Sequence, residues 1–517
     1  MKEMQKKIEE FRQKDKTAKA CGGEKQIVKQ HKMGKLTARE RLGLLFDPGS
    51  FSEIDLLVKH RCSEFGMKDK NIPAEGVVTG FGSVEGRTVM AFSEDYTAMA
   101  GTFGESHGNK IVKSIELATQ MRTPIVGVND SGGARLQEGL DASHAYARLF
   151  STQIKASGLI PQIALLMGPC IGGQAYHPIM MDFLIMVKNT SHLAIAGPAI
   201  VETMTGEEVA LEDLGGAEVH AKVTGQTDLV TDDDSGCISI ARKLLSYLPC
   251  HTEEKPPLHK NCKAPSIPSN YLESIVSGNL SRPYDMKKAI AGIVDVGSFL
   301  EFKPDFARNI IIGFATIGGH VVGLVANQPN VRAGGIDVDA SDKAARFIRF
   351  CDLFNIPLIQ FMDTPAYWIG TKEEHAGILR HGAKMLFAFV EATVPKITII
   401  FRKAYAGAYV GMCCKDTGAD LVYAWPTAVI ALVAPETAVS VLYAKEIASS
   451  PDPGKTLSQR LSEYDLNYSN PYFAAQRGYI DGIIEPKDTR KQILQALKLT
   501  KGKKEVRPKK KYANITL

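Results

Sequence analysis

A chain of 517 residues, 44% apolar and 23% charged, is long enough for two or three domains with buried cores and lies far from disordered or collagen-like compositions. No apolar run approaches the roughly 18 residues of a membrane span, and the opening MKEMQKKIEEFRQKDK has no apolar stretch of the signal-peptide kind. The formal charge of +5 is concentrated in residues 501–511, where seven Lys/Arg face one Glu; we read a solvated basic tail and no nucleic-acid partner.

In chain order, Gly80-Phe81-Gly82 precedes a strand-like run over 88–92, a helical stretch over 111–121, and a Val/Ile-rich strand over 124–128. A buried strand over 162–167 then runs into the small-residue step Gly172-Gly173-Gln174-Ala175. Around 249–268 the composition turns Pro- and Lys-rich without periodicity, which predicts a linker and domains over 1–255 and 256–517. Beyond it the same order returns: Gly313-Phe314-Ala315, strands over 321–326 and 357–361, a helix over 342–354, a strand over 396–401, and Ala406-Gly407-Ala408. The first and third pairs are offset by 233 residues and the glycine pairs by about 235, so two domains of like fold are expected. Alternating strands and helices predict an α/β fold with mostly parallel pairing.

Each half therefore has a buried strand that ends in small residues and opens a helix. Unpaired N–H groups at such a turn can hold an oxyanion, because the absence of bulky side chains lets a ligand oxygen approach; tight helix-to-sheet packing is the alternative reading of the same residues. Asp130-Ser131-Gly132-Gly133 copies the nucleophile signature of chymotrypsin-like proteases but follows a buried strand and precedes Arg135 and Glu138, a context foreign to that all-β fold. The reading is a turn whose amides bind a ligand or cap a helix. Pro453-Gly454-Lys455-Thr456 has Ser449 where a phosphate loop needs Gly, and the glycines of 101–108 lack G-x-G-x-x-G spacing. Nine cysteines form no C-x-x-C pair and twelve histidines no metal constellation; His192 and His381 read as structural, and a reduced cytoplasmic protein without a metal is expected. Two charge-stabilising turns and no side-chain base suit an enzyme whose second partner brings its own base.

These segments make the chain resemble the carboxyltransferase (β) subunit of biotin-dependent acyl-CoA carboxylases, in the propionyl-CoA carboxylase and methylmalonyl-CoA decarboxylase group. The resemblance is carried by Lys35-Leu36-Thr37-Ala38-Arg39-Glu40-Arg41, by residues 129–139 and 167–173, by Thr205-Gly206-Glu207-Glu208-Val209, by Asn327-Gln328-Pro329, and by residues 339–352, 380–384, 391–396 and 423–428. It implies two homologous crotonase-like domains, acyl-CoA bound mainly by the first and biotin by the second, and active sites between subunits of a hexamer built from dimers. It implies that amides of Gly172 and Gly173 hold the thioester oxygen and those of Gly407 and Ala408 the biotin oxygen. Gly132, Gly133, Ala134, Arg135 and Val410 would bind substrate, and Pro365, Tyr367 and Trp368 would face biotin. CO2 would pass between carboxybiotin and the α-carbon of a propionyl- or methylmalonyl-CoA type substrate through an enolate. No Ala-Met-Lys-Met biotinyl motif occurs, so biotin carboxylase and biotin carrier chains, or membrane decarboxylase subunits, are the expected partners. The chain departs from the family at Asp363-Thr364-Pro365-Ala366-Tyr367-Trp368-Ile369-Gly370, at Ala406 and Gln174, and at Val410, where propionyl-specific relatives carry Asp. Two alternatives remain: a crotonase-like hydratase, isomerase or hydrolase using Glu105, Glu138 or Asp363 as acid, and a non-catalytic assembly paralogue.

Overall fold

In the computed structural model, which describes residues 2–268, 270–505, 507–508 and 510–516, the chain divides into two compact units, Met1–Glu254 and Lys255–Leu517. Residues 506 and 509 of the basic run 501–511 lie outside the described residues.

Unit 1 contains β1 (Ser52–Ile54), β2 (Val77–Val84), β3 (Arg87–Glu94), β4 (Ile125–Asn129), β5 (Gln162–Leu166), β6 (Pro169–Ile171), β7 (Phe183–Val187), β8 (His192–Ala194) and β9 (Leu229–Thr231). The helices that matter for the site are α1 (Glu105–Met121), α2 (Leu140–Ala156) and α3 (Gly173–Ile179). Seven strands make one sheet in the order β1-β2-β3-β4-β5-β7-β9, and β6 pairs with β8 in a separate two-stranded ribbon. The first two pairings are antiparallel and the others parallel. Strands β4, β5 and β7 are buried throughout, as apolar runs covered on both faces should be. Helix α1 turns His107, Lys110, Ile111, Ser114, Ile115 and Ala118 inward, the spacing of one helical face. Phe103 stacks on Tyr146 of α2 with centroids 3.9 Å apart.

Unit 2 repeats the plan with β10 (Leu300–Phe302), β11 (Ile310–Ile317), β12 (His320–Asn327), β13 (Leu358–Thr364), β14 (Lys396–Tyr405), β15 (Leu421–Ala424), β16 (Val429–Ala431) and β17 (Gly482–Ile483). Its sheet runs β10-β11-β12-β13-β14-β15-β17, with β16 joined to β14. Its helices include α4 (Val338–Leu353), α5 (Ile378–Glu391) and α6 (Ala406–Gly411). The two sheets share register: Gly80 faces Ala91 in unit 1, and Gly313 faces Leu324 in unit 2. A Cβ on either glycine would overlap the backbone of the short edge strand, β1 or β10, which fixes glycine at that point of both halves. One lysine recurs in the same way. Lys110 of α1 donates to the carbonyls of Ala74 and Val77, and Lys343 of α4 to those of Lys303, Phe306, Ala307 and Ile310. In both units a buried lysine thus gathers the carbonyls of the loop and strand leading into the sheet. In unit 2 the core centres on Phe401, stacked on Trp425 at 3.9 Å.

The basic run is not the free tail its composition predicts. Lys503 bonds the Val394 carbonyl at 3.1 Å and Asp420 at 2.9 Å, and Lys510 pairs with Glu391 at 2.5 Å.

Candidate functional site

The first turn is built where the β6 end meets α3. Gly172 stands at φ 72°, a left-handed conformation natural to glycine, and Gly173 begins the helix. The Gly172 N–H donates to the Ala194 carbonyl of β8 at 3.0 Å, so it is not one of the open donors. The expectation of Gly172 and Gly173 as the donor pair is corrected by one position. The N–H groups of Gly173 and Gln174 find no acceptor among the described residues, as the first amides of a helix require. Gly173 is exposed and Gln174 is buried, its Nε2 donating to Glu94 Oε1 at 2.6 Å. The amide of Gln174 thus joins the turn while its side chain points inward, which explains how a large residue stands where a small one was expected.

The second turn has the same anatomy. Tyr405 ends β14, Ala406 takes φ 51°, Gly407 is exposed and Ala408 buried, and the N–H groups of Gly407 and Ala408 find no acceptor among the described residues. Gly172-Gly173-Gln174 and Ala406-Gly407-Ala408 therefore superpose in sequence register, with Ala406 in a left-handed conformation that costs an L-residue about 1–2 kcal/mol. Tyr367 lies alongside: a Cβ on Gly407 would sit 3.6 Å from its ring, and its hydroxyl is buried without a partner. Burial raises the Tyr367 phenol pKa, so it stays protonated and can donate. Val410, 39% exposed, lines with Ala406 and Tyr409 a cleft of about 550 Å³ whose far wall is aromatic: Tyr443, Tyr464, Tyr468, Phe473 and Tyr479.

The Asp130–Arg135 loop is mostly scaffold. Asp130 accepts from Lys35 Nζ at 2.6 Å, Arg41 Nη1 at 2.9 Å and Gln30 Nε2 at 3.1 Å, and Arg41 continues to Asp234 at 2.7 Å. Ser131 is buried with its hydroxyl donating to the Gly101 carbonyl at 2.6 Å, which leaves no nucleophile. Gly132 N–H donates to Ala100 O at 2.8 Å, Gly133 N–H to Ser131 Oγ at 3.2 Å, and Arg135 N–H to Phe103 O at 2.8 Å. The Arg135 guanidinium is fully buried, pairing with Glu75 and, at 2.7 Å, Glu138. The N–H groups of Gly132 and Gly133 and the guanidinium of Arg135, all three expected to bind substrate, are thus engaged within the protein. Ala134 differs: it bridges Phe103 through its neighbours' groups, is exposed, and its own N–H has no acceptor among the described residues.

Pro365-Ala366-Tyr367-Trp368 is the same loop in unit 2. Tyr367 bridges Ile336 as Ala134 bridges Phe103, with Trp368 N–H donating to Ile336 O at 2.8 Å. The Trp368 ring packs against Gly335 and under the Arg332 guanidinium at 4.7 Å, so it is part of the loop wall, with its indole N–H buried and unpaired.

None of the three carboxylates considered as acids is free. Glu138 holds Arg135 and the Glu105 N–H, Glu105 pairs with Arg61 at 3.1 Å, and Asp363 receives Arg402 Nε at 2.8 Å and Lys403 N–H at 3.2 Å. His192 bonds Glu212 at 2.8 Å and His381 bonds Asp342 at 2.8 Å, in the structural roles read from the sequence. Among the described residues no group of three His, Cys, Asp or Glu could hold a metal, and no helix is long and apolar enough to cross a membrane. Sequence reasoning missed Glu94 and His107, which lie beneath the first turn and 3.3 Å from one another.

The carboxyl transferase domain family matches residues 29–515. Among curated relatives, methylmalonyl-CoA decarboxylase subunit alpha of Veillonella parvula is 49% identical over 514 residues, covering 99% of both chains. The carboxyltransferase subunit of propionyl-CoA carboxylase from Haloferax mediterranei is 46% identical, covering 99% of this chain and 100% of that one. Among solved structures, the transcarboxylase 12S hexamer with methylmalonyl-coenzyme A and methylmalonic acid bound aligns with a TM-score of 0.96 at 45% identity, over 98% of this chain and 97% of that one.

Proposed function

Because the chain belongs to the carboxyl transferase family, we propose that it moves a carboxyl group between biotin, carried on a separate protein, and the α-carbon of a methylmalonyl- or propionyl-CoA type thioester. The observation that carries this reading is the pair of turns in register, each offering two adjacent N–H groups, while Glu105, Glu138 and Asp363 are all engaged in ion pairs or hydrogen bonds. Unit 1 is read as the acyl-CoA side and unit 2 as the biotin side. The N–H groups of Gly173 and Gln174 stabilise negative charge on the thioester oxygen as the α-carbon becomes an enolate; those of Gly407 and Ala408 do the same for the ureido oxygen. Ala134 N–H offers the acyl-CoA a backbone contact on the neighbouring loop.

Biotin suits unit 2, where the Gly407 turn opens beside an apolar, aromatic-walled cleft and Tyr367 keeps an unpaired hydroxyl. When bound, biotin would supply the transferable carboxyl group and a basic ureido atom. Val410 keeps the wall of this cleft apolar beside the Gly407 turn. Biotin carboxylase and carrier chains, or membrane decarboxylase subunits, are the proposed partners in the cytoplasm, with the chain assembled as a hexamer.

The test is decarboxylation of methylmalonyl-, malonyl- and glutaconyl-CoA with free biotin as acceptor, which needs neither ATP nor partner chains. CO2 release that depends on biotin supports the reading. Turnover of a thioester without biotin, or none across the panel, overturns it.

A further inference from the structure

Glu94 ends β3 with its carboxyl fully buried, and three groups reach it: Asp130 N–H donates to Oε2 at 2.9 Å, Gln174 Nε2 to Oε1 at 2.6 Å, and His107 Nε2 lies 3.3 Å from Oε1. The His107 Nδ1 sits 3.0 Å from the Glu75 carbonyl, an atom that can only accept, so Nδ1 carries a hydrogen. The Nε2 contact then needs one more proton, held by Glu94 or by His107. The surroundings decide between them. Burial, with Arg135 and Lys110 nearby, outweighs the Glu75 carboxylate and carbonyl and holds the His107 pKa down to about 3. Burial and the Asp130 carboxylate push Glu94 up to about 8, Lys35 and Arg41 being spent on Asp130 itself. Tyr146 of α2 and Cys170 of β6 also face Glu94, and burial keeps both protonated.

The internal repeat gives independent support. Asn327, 233 residues on, ends β12 as Glu94 ends β3. Its Oδ1 accepts from Asp363 N–H at 3.2 Å, as Glu94 Oε2 accepts from Asp130 N–H, and its Nδ2 donates to Gly334 O at 3.1 Å. An uncharged group with one acceptor and one donor serves this position in unit 2, and only the protonated form of Glu94 offers the same set.

We propose that Glu94 works as a neutral carboxylic acid, donating its proton to His107 Nε2, and is a positioning residue that fixes Gln174 and with it the open amides of the Gly173 turn. The positioning role rests on reading that turn as the thioester site; the protonation state does not. Two measurements on the full chain separate them. Infrared spectra should contain a carboxylic-acid C=O band that shifts in D2O and disappears in Glu94→Gln. In biotin-dependent decarboxylation, Glu94→Gln, whose amide keeps an acceptor for Asp130 N–H and a donor for His107 once the Gln174 amide turns its unpartnered Oε1 toward it, should stay within about threefold of the parent at pH 7, while Glu94→Ala loses roughly 100-fold in kcat with KM little changed. The parent rate should fall above about pH 8, where the acid ionises, and the Glu94→Gln rate should not. A missing infrared band, or a folded Glu94→Gln as impaired as Glu94→Ala, overturns the proposal. If Glu94→Gln does not fold, the parent's D2O-sensitive band and alkaline limb decide, and absence of either counts against it. Absence of turnover in the parent would remove the thioester reading and with it the positioning role, while the band would still settle the protonation state.

Discussion

Replacing Gly173 tests the first turn directly, since a backbone donor cannot be deleted but can be crowded. Gly173 lies outside the left-handed region, so a side chain adds no backbone strain. A Cβ there would stand 3.4 Å from Cδ2 and Cε2 of Tyr146, an ordinary contact, and Gly173→Ala should fold and keep most of its rate. Valine extends about 1.5 Å further. Whichever way its methyls turn, they press on the Tyr146 ring, which is stacked on Phe103 and cannot withdraw, or cover the approach to the open N–H. Loss of one such donor costs roughly 10²–10³ in kcat, about 3–4 kcal/mol of transition-state stabilisation. The assay is decarboxylation of methylmalonyl-CoA with free biotin, run beside thermal melts to show that the fold persists. A Gly173→Val protein with unchanged melting and unchanged kcat would refute the placement of the thioester oxygen at this turn.

Ser131→Ala should cost about 2–3 kcal/mol, because the Gly101 carbonyl loses its donor and the buried Gly133 N–H its acceptor, and leave kcat within a few-fold; an inactive but folded variant would restore the serine as a nucleophile. Ala406→Gly should raise the stability of unit 2 by up to about 1 kcal/mol, the left-handed cost less the greater freedom glycine gives the unfolded chain; urea midpoints that fall would show that the turn is relaxed as it stands. His177 is buried, and burial lowers its pKa from 6.5 to about 3. An unfolded chain takes up that proton below pH 6.5 and the folded one does not, so His177 contributes stability that is present above pH 6.5 and lost as pH falls toward 3. In His177→Gln the decline of the urea midpoint between pH 6.5 and 4 should be shallower, and an identical slope would place the acid sensitivity elsewhere.

The duplication was legible because its strands and helices keep one spacing: Gly80 and Gly313, Pro124 and Pro357, and the two glycine turns align by eye. The finer match between Gly132-Gly133-Ala134-Arg135 and Pro365-Ala366-Tyr367-Trp368 was not, because the shared feature is a backbone bridge and the side chains have nothing in common. The donor pair in unit 1 was misplaced by one residue for a similar reason. Nothing in Gly172-Gly173 reveals that Ala194, more than twenty residues away, accepts the first amide. Arg135 was expected at the substrate from the family resemblance alone; its partner Glu75 lies sixty residues earlier and is invisible to local pattern. Of the three partners of Asp130, Lys35 and Arg41 were noted only as part of a motif, without a role, and Gln30 lies outside it.

The two-stranded ribbon has a consequence for how the first turn is anchored. Strand β8 tethers Gly172 through Ala194, while His192 at its other end bonds Glu212 in the helix Leu211–Gly215. Through these two bonds one three-residue strand ties the Gly172 turn to the Glu212 helix, so the anchorage of the turn depends on a residue forty positions further along the chain.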